Sequence, residues 1–347
     1  MKFNRLGLVA GAAALGLALA SCSGAGDAGN NASNPDGDKF IYITSDPIGQ
    51  NEFLKSGKVG IEAAAEEHGG QAFTYESKDD ETRRSNIEQA IVENPRVIVM
   101  LGFQFQDLAL EYANQYPDQD FVLIDTMSDG APENLYQAVF REYEPSYLLG
   151  VEAGLLTEAN KVGTVMSVDN PLLQKYSEGF AAGAKSVNNS VEIPQPQIIG
   201  GENPFADTAR AKEQALAFSA TGVDQVFAVG AAANGGIHEA GKEKGFFTYG
   251  VDANQCQMAP GTVMDGTVKS VNNVVTTVVG EIMDGKTASE ATSSFGLKEE
   301  GMTIVSLDEN AEESGCVILE HPDVMKQVKE VYDSILSGKT EIKDPTA

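Results

Sequence analysis

The sequence predicts an α/β protein made of two lobes, each a doubly wound parallel sheet covered by helices. From Lys39 onward, short runs rich in Val, Ile and Phe alternate with longer amphipathic segments, a pattern typical of parallel-sheet proteins. The short runs contain few polar residues, as expected of strands covered on both faces. The alternation forms two series that divide near residues 140–145, so we expect two similar lobes.

The N-terminal residues 1–21 are predicted to be a signal peptide. Two basic residues near the start are followed by an apolar stretch at 6–18, and small residues precede Cys22. That stretch is shorter than the roughly 20 residues of a membrane-spanning helix. The four residues that end at Cys22, LASC, resemble the lipobox of bacterial lipoproteins, so we expect cleavage before Cys22 and a diacylglycerol on its sulfur. The alternative is an ordinary secretory signal with an incidental cysteine.

Residues 22–38 are small and polar and are predicted to be a flexible tether. The chain has 24 Lys and Arg against 51 Asp and Glu, and removing the signal takes away Lys2 and Arg5 but no acid, so the net charge changes from −27 to −29. Such a surface repels nucleic acid and does not attract anionic lipid. We therefore expect no nucleic-acid partner and membrane contact only through the lipid anchor.

The first series predicts the elements of one lobe. Its strands are expected at Phe40–Thr44, Ala72–Glu76, Val97–Leu101 and Phe121–Asp125, with helices near 52–68, 83–94 and 107–116. The second series predicts strands at Val162–Val168, Ile198–Gly200, Gln225–Val229 and Phe247–Val251, with helices near 145–159, 172–187, 207–221 and 235–244.

The C-terminal third departs from simple alternation. Apolar residues at helical spacing precede Gly285, which is placed as a helix C-cap, and a strand at Thr303–Leu307 and a helix at 321–337 follow. Such extra elements fit a chain that crosses between the lobes more than once and so makes a multi-crossover hinge. We expect residues 39–142 and about 253–297 to form lobe 1, and 143–252 and about 298–347 to form lobe 2.

Three motifs bear on chemistry. Residues 280–287 match the phosphate-loop pattern GxxxxGK[ST], but a predicted helix precedes them where a strand is required, so we interpret the match as coincidence. No HExxH or paired CxxC spacing occurs, so neither a metal site nor a cofactor is expected. Cys256 and Cys316 remain once Cys22 is set aside. A disulfide between them, worth roughly 4 kcal/mol on the chain-entropy model, and two buried thiols are equally weighted alternatives.

Aspartates follow four of the predicted strands. They are Asp46, Asp125, Asp169 and Asp252. In open α/β sheets ligands bind beyond the carboxyl ends of strands, and a carboxylate there can accept charge-assisted hydrogen bonds from a diol. The alternative for any one of them is a cap on the next helix. For four together we expect at least two to contact a ligand.

Phenylalanines lie near the same strand ends. Phe53 opens the first predicted helix, Phe103 follows the third strand, and Phe205 lies in the loop before the 207–221 helix. Two facing rings can hold a flat heterocycle between them by stacking. For Phe103 and its neighbour Phe105, packing in the core is an equally weighted alternative.

Several segments in order resemble those of a known family. Over most of residues 39–307 the chain resembles the basic membrane protein family, the purine nucleoside receptor type of substrate-binding lipoproteins used by ABC importers. The segments that carry the resemblance are Gly102–Phe105, Tyr116–Asp118, Phe121–Asp125, Ser146–Val151, Gly179–Asn188, Tyr249–Asp252 and Val268–Val271.

The resemblance implies a type I periplasmic binding protein, with two α/β lobes, a multi-crossover hinge and the ligand in the cleft between them. It implies that Phe53 and Phe205 stack on a nucleoside base and that Asp125 and Asp252 accept hydrogen bonds from the ribose hydroxyls. It also implies that Lys269 donates to the sugar and offsets the buried carboxylates.

The chain departs from the family at one point. The family usually has Phe-Asn where this chain has Phe53-Leu54, and an acidic pair where this chain has Asn51 and Glu52. A leucine cannot make the hydrogen bonds of an asparagine, so recognition of the base is expected to differ. Asn51 is the candidate for a replacement amide.

Together these features predict an exported, lipid-anchored solute-binding protein on the periplasmic or extracellular face of the membrane. We expect a monomer without enzymatic activity that captures a small hydroxylated ligand, a nucleoside first, by hinge closure and delivers it to an ABC permease. Two alternatives stay open. One is a binding protein that signals to a membrane sensor, and the other is an extracytoplasmic nucleoside hydrolase on a similar scaffold.

Overall fold

Two six-stranded sheets organise residues 37–347, the part of the chain that the computed structural model describes. The predicted signal peptide, Cys22 and residues 22–36 of the predicted tether lie outside the described residues. The strands are β1 Lys39–Thr44, β2 Gln71–Tyr75, β3 Val97–Leu101, β4 Phe121–Ile124, β5 Leu135–Phe140, β6 Val162–Met166, β7 Gln197–Ile198, β8 Gln225–Val229, β9 Phe247–Gly250, β10 Val263–Lys269, β11 Ser294–Phe295 and β12 Met302–Ile304.

The strand order confirms the predicted fold class of two parallel-sheet α/β lobes. The first sheet has the order β11-β5-β4-β3-β1-β2 and the second β12-β10-β9-β8-β6-β7. All pairings among these strands are parallel except that of β10 with β12. Strands β3 and β4 are buried along their whole length, which explains their unbroken apolar sequences.

Helices cover both sheets. They are α1 Glu52–Glu67, α2 Asp80–Val92, α3 Gln106–Gln115, α4 Tyr143–Leu156, α5 Pro171–Val187, α6 Thr208–Ser219, α7 Asn234–Lys244, α8 Val271–Met283 and α9 Pro322–Leu336. Several begin at side-chain caps: Asp79 forms a capping box with Thr82 at α2, and Asn170 caps α5 just before Pro171. Gly245 ends α7 in the left-handed conformation.

The chain crosses between the two sheets three times. It leaves the first sheet after β5, returns between β10 and α8, and crosses again in the segment 296–301 between β11 and β12. Helix α8 lies on the first lobe, where the Asn272 backbone N–H donates to Ser56 Oγ of α1 at 3.0 Å. Three adjacent crossings of this kind form a hinge.

The structure differs from the sequence-based assignment of residues to lobes at one place. Strand β10 pairs with β9, so residues 253–269 lie with lobe 2, whereas the sequence analysis assigns them to lobe 1. The strand was not predicted because Asp265, Gly266 and Lys269 interrupt its apolar run. The strand expected at Thr303–Leu307 is shorter and continues from Ile304 into a single 3-10 turn.

The end of α8 accounts for the phosphate-loop match at residues 280–287. The helix ends at Met283 and Gly285 follows with φ of 80°, so a helix and a turn stand where a strand and a loop would be needed. Within residues 37–347, no helix combines the length and the apolar character needed to cross a membrane. The same part of the chain contains no cluster of three potential metal-ligating side chains.

Candidate functional site

A cleft lies between the carboxyl ends of the two sheets. It encloses about 560 Å³, including its opening to solvent, which is within the range of roughly 300–1,000 Å³ typical of small-molecule sites. Lobe 1 contributes the loops after β1, β3 and β4, and lobe 2 contributes those after β8 and β9 together with the start of α5. The cleft therefore occupies the position where ligands bind in parallel α/β sheets.

Most residues that the sequence singled out lie together in this cleft. Eight of them line it: Asp46, Asn51, Phe53, Phe103, Asp125, Phe205, Asp252 and Lys269. Asp169 does not. Its carboxylate is exposed before α5 and accepts a hydrogen bond from Gln174 Nε2 at 2.8 Å, because the chain there turns outward to place Asn170 as the helix cap.

A buried lysine is the centre of the site. Lys269, the last residue of β10 in lobe 2, places its Nζ 2.5 Å from Asp125 Oδ1 in lobe 1 and 3.0 Å from Glu142 Oε1 at the first crossing. The three side chains are 2%, 6% and 1% exposed. The ammonium also lies 4.5 Å from the Phe140 ring centroid and 5.2 Å from that of Phe53. One cation thus links both lobes and the hinge.

The electrostatics of the cluster follow from burial and proximity. Burial disfavours the Lys269 ammonium, but Asp125 and the other nearby acidic groups keep its pKa well above the usual value. Burial raises the pKa of Glu142, and Lys269 only partly opposes this rise. Removal from water raises the pKa of Asp252 to about 6; Lys269 opposes this shift, while repulsion from Asp125 and Glu142 adds to it.

Asp252 differs from Asp125 in having no protein partner. No group among the described residues donates a hydrogen bond to its carboxylate, which lines the cleft beside Lys269. Both aspartates have left-handed backbones, with φ of 87° at Asp125 and 70° at Asp252. Non-glycine residues rarely adopt this conformation, which persists where the surrounding structure enforces it. The surrounding structure therefore holds the Asp252 carboxylate at the cleft, where it can accept hydrogen bonds from a ligand.

Aromatic rings from both lobes meet across the cleft. The Phe103 and Phe205 ring centroids are 6.3 Å apart, with the planes tilted by 54°. The ring centroid of Phe53, at the start of α1, lies 5.2 Å from Lys269 Nζ. The neighbouring Phe105 is fully buried in the lobe 1 core, so of this pair only Phe103 faces the cleft.

A polar corner lies at the lobe 1 side of the cleft. Gln104 Nε2 donates to Asp46 Oδ2 at 3.1 Å, and the buried Arg83 approaches Asp46 Oδ1 at 3.6 Å. Asn51 Oδ1 accepts from the Leu54 backbone N–H at 3.4 Å and so caps α1. Leu54 itself is 1% exposed in the core and does not line the cleft. The side chains of Asp46, Gln104 and Asn51 therefore form the polar corner, and Leu54, which stands where the family usually has an asparagine, adds no polar group to it.

Sequence reasoning missed three residues of the site: Gln104, Glu142 and Tyr176. Glu142 follows β5, a strand that the apolar pattern did not reveal because Tyr136 and Gln137 interrupt it. Tyr176 lines the cleft from the second turn of α5, and a helical tyrosine gives no signal that distinguishes it from a core residue.

Comparisons with known proteins agree with this geometry. The Bmp family model, described as ABC transporter substrate-binding protein PnrA-like, matches residues 39–343. The chain is 26% identical to the ABC transporter nucleoside-binding protein BmpA of Lactococcus lactis, over 94% of this chain and 93% of the relative. It is 28% identical to an uncharacterized lipoprotein of Pyrococcus abyssi, over 82% and 75% of the two chains.

The fold has solved counterparts. A crystal structure of an ABC transporter solute-binding protein from Aeropyrum pernix superimposes with a TM-score of 0.76 at 22% identity, covering 89% of this chain and 94% of that one. This similarity confirms the fold class, the type I periplasmic binding protein, that the sequence predicted.

Replacing Lys269 by Met tests the central cluster. We expect the free energy of unfolding at neutral pH to fall by about 3–5 kcal/mol, because the variant buries Asp125 and Glu142 without their cation. Folded-state pKa values of Glu142 and Asp252 are already raised. These groups therefore take up protons more readily in the folded state, and the deficit should shrink as the pH falls toward about 5. Urea unfolding at both pH values measures it.

The matched control is Lys329→Met. Lys329 Nζ lies 2.9 Å from Asp333 Oδ1, but the two side chains are 57% and 60% exposed, and exposed pairs contribute about 0–1 kcal/mol. Equal losses in the two variants would contradict a special role for the buried cluster.

Proposed function

Because the chain belongs to the PnrA-like family of ABC transporter substrate-binding proteins, we propose that it captures a nucleoside in the cleft and delivers it to a membrane permease. The observation that carries the proposal is the combination, in one cleft, of aromatic rings from both lobes with the Asp252 carboxylate beside the paired Lys269.

The two kinds of side chain in the cleft suit the two parts of a nucleoside. Phe53 and Phe205, with Phe103 beside Phe205, offer rings to a flat base, and stacking is worth roughly 1–3 kcal/mol per base in nucleic-acid systems. Asp252 and Asp125 can accept from vicinal hydroxyls of the sugar, and hydrogen bonds to charged groups contribute about 1.5–3 kcal/mol. The nucleoside-binding name of the Lactococcus lactis relative supports the same class.

The charge balance of the cleft favours a neutral ligand. Lys269 is fully engaged by Asp125 and Glu142, and Arg83 is engaged by Asp46, Asp80 and the Ser45 carbonyl oxygen. Among the described residues that line the cleft, a phosphate group would meet carboxylates and would find no cation that is not already paired. We therefore propose nucleosides rather than nucleotides as ligands.

Capture is proposed to proceed by closure about the three crossings. Lys269 contacts Asp125 across the lobes, and Phe103 lies opposite Phe205. A ligand held by both lobes interacts fully only with the closed arrangement and shifts the population toward it. The crossings at Glu142 and Ser270 lie next to Lys269 and its two carboxylate partners. The charged group that borders the ligand therefore also borders the hinge.

The anchor is proposed to be a lipid on Cys22. The sequence at residues 19–22 matches the lipobox pattern, and the Pyrococcus abyssi relative is named a lipoprotein. The charge of the chain excludes attraction to anionic lipid as a second means of attachment. Attachment would place the cleft outside the cytoplasm, close to the permease.

Identification of the ligand tests the proposed class. Denaturing the purified protein and analysing the released small molecules by mass spectrometry should yield a nucleoside near one-to-one occupancy. Calorimetry should confirm its binding, and small-angle scattering should show a smaller radius of gyration with the ligand present. A different metabolite would overturn the nucleoside class, absence of compaction would contradict closure, and release of free base would favour a hydrolase.

Asp252→Asn tests the acceptor. We expect nucleoside affinity at pH 7.5 to fall by about 10- to 100-fold, because a charged acceptor is lost. In the native protein, a proton on Asp252 competes with the ligand hydroxyls. Affinity should therefore be full above pH 6 and fall as the pH drops through about 6, the pKa of this carboxyl. Calorimetry at several pH values should show this step in the native protein and not in the variant.

Asp169→Asn is the matched control, since Asp169 also follows a strand of lobe 2 but is exposed outside the cleft. Its affinity and pH profile should equal those of the native protein. A pH step that persists in Asp252→Asn would assign the titration to another group.

Cys22→Ser tests the anchor. The native protein should fractionate with membranes and, by intact mass, begin at Cys22 with a lipid attached. The variant lacks the thiol that accepts the lipid, so it should appear in the soluble fraction or retain its uncleaved signal. A native protein whose mature N-terminus lies elsewhere would contradict the lipobox interpretation.

A further inference from the structure

The loop that follows β9 carries the free acceptor of the cleft. Asp252 begins this loop with φ of 70°, and its carbonyl oxygen accepts from the Lys269 backbone N–H at 3.0 Å. A left-handed non-glycine residue relaxes unless its neighbours enforce the conformation. The direction of the Asp252 carboxylate therefore depends on what holds residues 253–257.

The inner side of the loop is held by a buried polar network. Gln255 Oε1 accepts from Asn234 Nδ2 at 3.0 Å and lies 2.9 Å from His238 Nε2. His238 Nδ1 lies 2.8 Å from Thr248 Oγ1. Burial lowers the pKa of His238 to about 4, so the ring is neutral at pH 7. The neutral ring donates through Nε2 and accepts through Nδ1.

The outer side of the loop is held covalently. Cys256 and Cys316 form a disulfide with a Cα–Cα distance of 4.9 Å, which resolves the alternative that the sequence left open. Beside it, Asn254 Nδ2 and Gln257 Nε2 both donate to the Ser314 carbonyl oxygen at 3.1 Å. The partner segment is anchored in turn, since Cys316 is 4% exposed and Ile318 is fully buried.

We propose that the Cys256–Cys316 disulfide is a positioning element for Asp252, holding its carboxylate toward the ligand. The bridge lies four residues from Asp252 and joins the loop to a segment 60 residues away. The hydrogen bonds of Asn254 and Gln257 reach one carbonyl on a turn, whereas the disulfide fixes the loop directly. This proposal rests on the proposed function, because it assumes that Asp252 contacts the ligand.

A purely stabilising disulfide would behave differently. Its removal would lower resistance to unfolding but leave the surroundings of Asp252 unchanged in the folded protein. The groups that face Asp252 are Lys269, Asp125, Glu142 and Tyr176. If the loop relaxes, Asp252 moves from these groups toward water, and its titration changes.

The Cys256→Ala/Cys316→Ala double variant tests the proposal in the full-length protein without ligand. Carbon-13 NMR of aspartate carboxyls, with Asp252 assigned from Asp252→Asn, should give a midpoint of about 6 in the native protein. In the double variant it should move toward the ordinary value of about 4. A midpoint that stays at about 6 in the folded variant would overturn the proposal.

Affinity for a nucleoside gives the second readout. Removing the disulfide should weaken binding about tenfold when Asp252 is present and less than twofold in the Asp252→Asn background, since the effect acts through that carboxylate. Equal losses in both backgrounds would overturn the positioning role. If the double variant does not fold, native protein reduced with a phosphine reagent replaces it in both measurements.

The two readouts separate the two proposals. If the native protein binds no nucleoside, the proposed ligand class fails, while the ligand-free titration still decides whether the disulfide positions Asp252. If nucleoside binds and the titration midpoint does not move, the positioning role alone fails.

Discussion

The structure depends on one buried charge, the ammonium of Lys269. An uncompensated ion in this position would be strongly destabilising, so the fold must bring Asp125 from one lobe and Glu142 from the hinge to meet it. That requirement fixes the end of β10 against the first sheet and places the first crossing beside it. The Asp252 carboxylate, beside this cluster, accepts no hydrogen bond from the residues that the structure describes. The cation that holds the lobes together thus also creates the polarity of the cleft.

Charged side chains also connect the first crossing of the hinge with the third, the segment 296–301. Arg141 Nε contacts Glu144 Oε1 at 2.6 Å, and Arg141 also pairs with Glu299. Glu144 Oε2 accepts from the Leu297 backbone N–H at 2.9 Å. The first and third crossings are therefore joined by polar contacts in addition to apolar packing, in which the Phe140 and Phe295 ring centroids lie 6.5 Å apart. The polar contacts can exchange partners when lobes rotate.

The sequence predicted the architecture well because parallel strands buried on both faces give an unmistakable apolar signal, as in β3 and β4. It also predicted eight residues that line the cleft. The aspartates were found because strand ends of parallel sheets converge, the phenylalanines because they lie near those ends, and Asn51 and Lys269 only through the resemblance to the family. It failed where polar residues interrupt a strand. The polar residues of β10 hid that strand and shifted a lobe boundary. Glu142 and Tyr176 were missed because their role arises from tertiary contacts that no local pattern encodes, and Asp169 was included because a strand end alone does not reveal that the chain turns outward.

Leu54 bears on how the cleft recognises the base and the sugar of a ligand. Of the residues that depart from the family pattern, Leu54 packs in the core, whereas Asn51 lines the cleft. Asn51, Asp46 and Gln104 form the polar corner, which no hydrogen bond among the described residues joins to Asp125, Asp252 or Lys269. Variation in the corner can therefore change which base is preferred without disturbing the charge cluster that closes the lobes. In the proposed complex, the residues that bind the sugar also stabilise the fold, so few substitutions are expected to be tolerated there. The residues of the polar corner that contact the base do not carry this constraint.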